Sequence, residues 1–128
     1  MIYLDTSVAL AHLLSEDRVP PDSLWDQALV SSRLLQYEVW NRLHARGSTA
    51  THGGYARALL QRVAFVEMAP EVLSRALEPF PIAVRTLDAL HLASIEFLRA
   101  QRQEVALASY DLRMLEAARH LDIPLATS

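Results

Sequence analysis

The chain has no cysteine and no lysine among its 128 residues, and only three glycines. Without cysteine there are no disulfides, no thiolate metal ligands and no thiol nucleophile. Without lysine there is no Schiff-base amine, no P-loop lysine and no lysine partner for a phospho-aspartate. All 12 basic residues are arginine, so a cationic side chain that meets a phosphate must do so through the bidentate guanidinium fork. Long apolar runs are missing too. Arg, Asp, Glu or His interrupts every stretch short of the roughly 20 residues a membrane span needs. The segment Met1-Ile2-Tyr3-Leu4-Asp5 lacks the basic stretch that opens a secretory signal. The expectation is a soluble, cytoplasmic chain with no membrane partner.

What is present is core material: 52% of residues are hydrophobic and 21% charged. A length of 128 residues suits one domain, residues 1–128. The net charge of −3 excludes a nucleic-acid binder held by bulk electrostatics. A polyanion would meet this chain only where a metal ion or a local arginine patch offsets its own acids.

Apolar patterning alternates between short and long segments. Ile2-Tyr3-Leu4 reads as a strand ending at Asp5, followed by a helix over Thr6–Leu14. After Pro20-Pro21 and a short helix, Ala28–Val30 reads as a second strand. A helix from Leu34 to Ala45 then stops at Gly47. The polar stretch Ser48–Gly54 is expected to be a loop, Tyr55–Arg62 a helix and Val63–Met68 a strand. Pro70 suits the first turn of a helix ending at Leu77. Thr86 is expected to cap a helix over Leu87–Arg99 that is apolar nearly all round and therefore buried. Val105–Ala108 reads as a strand, Leu112–His120 as a helix and Ile123–Ala126 as a last short strand. Such alternation implies an α/β fold, a central parallel sheet with helices on both faces, whose sites lie beyond the carboxyl ends of its strands.

That rule selects four acids. Asp5 follows the first strand, and Glu38 lies one turn into the helix after the second. Asp111 follows the Val105–Ala108 strand, and Asp88 sits in the first turn of the buried helix. Each has an ordinary structural role open to it. Asp5 and Asp111 stand where N-caps contribute about 0.5–2 kcal/mol. Asp88 faces a helix macrodipole, and Glu38 has Arg42 four residues on. Together they point elsewhere, because several carboxylates converging on one edge cannot all stay ionised without protons or a cation. An oxygen-only donor set selects a hard divalent ion, Mg²⁺ or Mn²⁺. The chemistry such an ion serves is phosphodiester hydrolysis.

The motifs Ile2-Tyr3-Leu4-Asp5-Thr6-Ser7, Ser32-x-Leu34-x3-Glu38, Asp88-Ala89-Leu90-His91-Leu92-Ala93 and Ser109-Tyr110-Asp111 resemble, in order and spacing, those of PIN-domain ribonucleases. The likeness is strongest to the VapC-type toxins of bacterial toxin–antitoxin pairs, and it spans essentially the whole chain. The resemblance implies a PIN-like fold and a Mg²⁺- or Mn²⁺-dependent endoribonuclease. It implies Asp5 and Asp88 as metal ligands. Glu38 and Asp111 would complete the shell directly or through water and orient the attacking water. Thr6, Ser7 and Ser109 would offer hydroxyl or backbone donors to a phosphate; Ser109 stands where the family more often has threonine. It also implies an RNA substrate, a VapB-type antitoxin partner and a homodimer.

Other residues have plainer readings. His91 is expected to be a satisfied helix histidine, and His12, His44, His52 and His120 share no ligand spacing. Arg33, Arg42, Arg46, Arg85 and Arg113 flank the acidic motifs as candidate phosphate contacts, against the usual fate of helix arginines as solvated or paired groups. Leu24 and Trp25 either face a partner or pack inward, and packing is favoured; Trp40 and Leu43 are expected inside. Two rivals remain. A phospho-aspartyl phosphatase with Asp5 as nucleophile lacks its second aspartate, because Ser7 stands there, and its lysine. A non-catalytic PIN-like module would use the same groove to bind RNA or protein without turnover.

Overall fold

The computed structural model describes residues 1–15 and 19–126. Strand β1 (Ile2–Leu4) leads through helix α1 (Thr6–Leu14) and a 3-10 turn at Asp22–Asp26 to β2 (Leu29–Ser32). Helices α2 (Leu34–Ala45) and α3 (Thr49–Gln61) connect β2 to β3 (Val63–Val66). Helices α4 (Pro70–Leu77) and α5 (Thr86–Ala100) then carry the chain to β4 (Ala106–Ala108), and α6 (Leu112–His120) follows. The sheet order is β3-β2-β1-β4, and every pairing is parallel. Ile2 stands in register with Leu29 on one side and Ala106 on the other.

The order has a direct consequence. From β1 the chain first steps outward to β2 and β3, then returns across the sheet to β4. Right-handed crossovers taken in opposite directions place their helices on opposite faces. The two cores follow that division. Ile2 and Leu4 pack with Val8, Leu35, Val39, Leu43 and Leu59, from α1, α2 and α3. Tyr3, one residue out of phase, packs with Val72, Leu92, Ile95 and Met114, from α4, α5 and α6. Alternation along a three-residue strand thus feeds both layers. Leu24 and Trp25 are buried in the first core, which rules them out as a partner surface. Leu43 is fully buried, while Trp40 is half-buried at its margin.

Three expectations give way. Ser48–Gly54 is not a loop: α3 starts at Thr49 and runs through both glycines. Gly53 faces α2: a Cβ there would make ordinary van der Waals contact with the Trp40 ring at 3.5 Å. That packing, with Ala56, Leu59 and Leu60 buried, outweighs a helix penalty of about 1 kcal/mol per glycine. Gly47 keeps its expected role at the end of α2, with φ +65°. Thr86 is the first residue of α5 rather than its cap; Arg85 holds that position without a side-chain capping bond. Ile123–Ala126 contributes a single parallel bridge, Leu107 to Leu125. Leu107 N–H bonds to Pro124 O, and Ala126 N–H to Leu107 O. Pro124 has no N–H with which to extend the ladder.

Candidate active site

The sheet reverses its order at β1, whose carboxyl end lies between those of β2 and β4. That is where an open α/β sheet leaves a crevice. A cavity of about 460 Å³ opens there, and Asp5, Glu38, Asp88 and Asp111 all line it, with Arg85 and His91. Four chain segments therefore deliver the four acids to one cleft. A larger cavity of about 700 Å³ is walled by Leu73, Leu77, Phe80 and Ile82 between α4 and the start of α5. Its apolar lining offers no comparable chemistry.

Asp5 occupies the N-cap position of α1, yet its side chain caps nothing. Ser7 Oγ donates to Asp5 Oδ2 at 2.6 Å, and Ser109 Oγ donates to the same oxygen at 2.7 Å. The two hydroxyls also sew β1 to the segment after β4. Ser7 Oγ accepts from Tyr110 N–H at 2.9 Å, and Ser109 Oγ accepts from Asp111 N–H at 3.0 Å. A buried carboxylate with two hydroxyl donors is held in one orientation.

Glu38 bonds across the cleft instead of to Arg42. Thr6 Oγ1 donates to Glu38 Oε1 at 3.0 Å, and His91 Nε2 lies 2.6 Å from the same oxygen. His91 Nδ1 lies 2.7 Å from the Tyr3 hydroxyl in the core. The histidine is satisfied, as expected, but its partner is one of the four acids. The available signal was its place one turn after Asp88 on α5, which puts both on one face. Burial alone would lower the His91 pKa; the hydrogen bond and charge of Glu38, with Asp5 and Asp88 behind, reverse this and raise it.

The opposite wall is held less firmly. Asp111 does cap α6: its Oδ1 accepts from the N–H groups of Arg113 and Met114 at 3.0 and 3.4 Å. Arg85 NH2 stands 3.3 Å from Asp111 Oδ2, and Arg85 Nε stands 3.5 Å from Asp88 Oδ2. That second contact is an ion pair without hydrogen-bond geometry, so Asp88 Oδ2 is buried and accepts no bond. Burial, then the like charge of Asp111, raises the Asp88 pKa against the pull of Arg85.

Among the described residues, no three His, Asp or Glu side chains are gathered as a ready-made metal cage. The donor set nonetheless fits a hard cation. It offers carboxylate oxygens from four segments, one of them buried without a hydrogen bond, with an exposed guanidinium spanning two. The hydroxyls of Thr6, Ser7 and Ser109 each donate to a carboxylate, so the geometry gives them a positioning role toward Asp5 and Glu38. Among the flanking arginines, Arg33 pairs with Glu67 over the Phe65 ring, while Arg42, Arg46 and Arg113 are exposed.

The chain resembles proteins of known family. It is 29% identical over 134 residues to Ribonuclease VapC47 of Mycobacterium tuberculosis (strain CDC 1551 / Oshkosh), an alignment covering 99% of this chain and 96% of that protein. It is 36% identical over 92 residues to Ribonuclease VapC46 of Mycobacterium tuberculosis (strain ATCC 25618 / H37Rv), covering 72% and 68%. The model of the PIN domain matches residues 2–121. That match takes in every strand, every helix and all four acids of the cleft, and the chain belongs to the PIN domain family.

Proposed function

We propose that this chain is a VapC-type endoribonuclease toxin, a single PIN domain over residues 1–128 that hydrolyses RNA phosphodiester bonds at the acidic cleft. The observation that carries this reading is the delivery of Asp5, Glu38, Asp88 and Asp111 by four separate segments to one cavity. The relatives' names add ribonuclease activity, and nucleases of this family use divalent metal ions.

Asp5 and Asp88 would hold Mg²⁺ or Mn²⁺, with Glu38 and Asp111 completing the shell directly or through water. Such a cation acidifies a bound water and neutralises charge on the phosphoryl oxygens. The protein's own part is to set the donors beforehand. Ser7 and Ser109 orient Asp5, and Thr6 and His91 orient Glu38. A water oriented by Glu38 or Asp111 adds to phosphorus, the bond from phosphorus to the leaving oxygen breaks, the water's proton passes to a carboxylate, and the leaving oxygen takes a proton from solvent. Arg85, which spans Asp88 and Asp111, would supply the guanidinium that meets the RNA phosphate. Thr6, Ser7 and Ser109 remain candidates for phosphate contact through backbone groups.

The partner implied is a VapB-type antitoxin that covers the acidic groove, and the working form is a homodimer in the cytoplasm. Among the described residues no helix is long and apolar enough to cross a membrane. The experiment is cleavage of a structured RNA mixture with Mg²⁺, with Mn²⁺ and with EDTA, beside Asp5→Asn prepared identically. Metal-dependent cuts lost in the variant are the expected result. A folded, antitoxin-free protein that binds RNA but cuts none under either metal would instead be the non-catalytic module.

A further inference from the structure

Tyr3, His91 and Glu38 form a hydrogen-bonded line from the core to the cleft. His91 is 2% exposed, and each ring nitrogen has one protein partner. An ionised carboxylate only accepts, so the Nε2 that faces Glu38 Oε1 at 2.6 Å carries a proton. In the neutral ring Nδ1 is then the acceptor, and the Tyr3 O–H donates to it at 2.7 Å. Tyr3 O in turn accepts from Ser32 N–H at 3.1 Å. In the imidazolium both nitrogens donate, so the bond to Glu38 is the same in either state. The two rings meet edge to face at 85°, which holds the imidazole plane.

The consequence falls on one oxygen. Thr6 and His91 both bond to Glu38 Oε1, leaving Oε2 for the cleft. We propose that His91 is a positioning residue for this site, set by Tyr3, whose bond to Glu38 Oε1 presents Oε2 to a divalent cation or to the attacking water. The role depends on the ribonuclease reading for its chemistry but not for its geometry. An apolar residue on α5 would fill the same core space without choosing which carboxylate oxygen is free. Partners that orient metal-binding carboxylates and imidazoles typically matter by about 10–100-fold in affinity or activity.

The test uses the full chain with His91→Leu, His91→Gln, Tyr3→Phe, Glu38→Gln and the double variant His91→Leu/Glu38→Gln. Mn²⁺ affinity by calorimetry and RNA cleavage rate are read for each, with thermal unfolding in EDTA as the check on folding. His91→Leu should weaken both readouts by about 10–100-fold. His91→Gln, whose amide can donate where Nε2 did, should recover most of the loss, and Tyr3→Phe should fall between. In the Glu38→Gln background His91→Leu should add little, because groups that act through one another are not additive. Equal losses in both backgrounds, or a glutamine variant as poor as the leucine, would make His91 a packing residue and overturn the proposal. Should His91→Leu fail to fold, the glutamine and Tyr3→Phe variants decide the matter alone. If wild type binds Mn²⁺ but cuts no RNA, the coupling is read from affinity and only the ribonuclease reading falls. A wild type that neither binds Mn²⁺ nor cuts RNA overturns both.

Discussion

Asp5 and Glu38 are each gripped by two side-chain donors, whereas Asp88 and Asp111 share one exposed guanidinium through their Oδ2 atoms. The residues are of one kind and line one cavity, but the two walls are prepared differently. On the first wall the carboxylates have their orientation built in from hydroxyls and an imidazole, and a cation would find them already in place. On the second, Asp88 Oδ2 is buried with an ion pair but no hydrogen bond, and the like charge of Asp111 stands beside it. The contrast teaches that side-chain donors orient the acids of one half of the cleft, while burial and like charge act on the other.

The largest expected effect tests the gripped wall. Ser109→Ala removes a donor to Asp5 Oδ2 and the acceptor for Asp111 N–H. Hydrogen bonds to charged groups are worth about 1.5–3 kcal/mol, so urea denaturation in EDTA should show a loss of about 2 kcal/mol. A change too small to resolve would mean that Ser7 alone holds Asp5, and the contrast between the walls would shrink. Asp88→Asn should move stability the other way. Folded Asp88 holds its proton more tightly than the unfolded chain, so ionisation at neutral pH opposes folding; this penalty is full above the raised pKa, shrinks as pH falls through it, and is gone only below the ordinary carboxylate value of the unfolded chain. Removing the charge should stabilise the metal-free protein by about 1 kcal/mol while abolishing stabilisation by Mn²⁺. Destabilisation matching that of Ser109→Ala would show that both walls are equally satisfied.

The acids themselves were legible in the sequence because position along the chain sufficed to place them. Each stands at or just past the end of a short apolar run or in the first turns of a helix, and a parallel sheet gathers those ends. Which group each acid bonds was not legible. Glu38 has Arg42 at the spacing of a helix ion pair, yet it bonds Thr6 and His91 because α1, α2 and α5 converge beyond β1 and β2. Asp111 kept its capping role and Asp5 did not, although both hold the same position before a helix. Serines at 7 and 109, contributed by segments over 100 residues apart, account for the difference. Local chemistry likewise misjudged Ser48–Gly54, where contact with Trp40 made helix of a stretch composed like a loop.

Arg85→Gln gives a smaller effect and sharpens the second wall. The guanidinium is 66% exposed, and exposed pairs contribute about 0.2–1 kcal/mol. Stability in EDTA should therefore fall only slightly. Mn²⁺ should bind about 1.4- to fivefold more tightly, the range those pair energies allow once the competing cation is gone. RNA cleavage at limiting substrate should drop at the same time, because the group placed to meet phosphate is lost. Unchanged Mn²⁺ affinity would show that Arg85 and the metal do not share these oxygens.

The smallest effect lies outside both walls and calibrates them. His12 on α1 packs against Trp25 with ring centroids 4.5 Å apart and the planes tilted by 46°. Burial, then the charge of Arg62, lowers its pKa against the pull of Asp22. The folded protein binds this proton less tightly than the unfolded chain, whose imidazole keeps an ordinary value near 6.5. Its contribution is therefore fully present above that value and is lost as pH falls through it toward the lowered folded pKa. The side chain is largely open to solvent, so the slope it adds is shallow. Denaturation of His12→Gln between about pH 7 and pH 5 should show a slightly flatter stability curve than wild type. The difference between Ser109→Ala and Asp88→Asn should persist unchanged in that background, since His12 shares no partner with either wall. If His12→Gln altered that difference, the two walls would be coupled through α1, and their separation into a half oriented by donors and a half set by burial and like charge would fail.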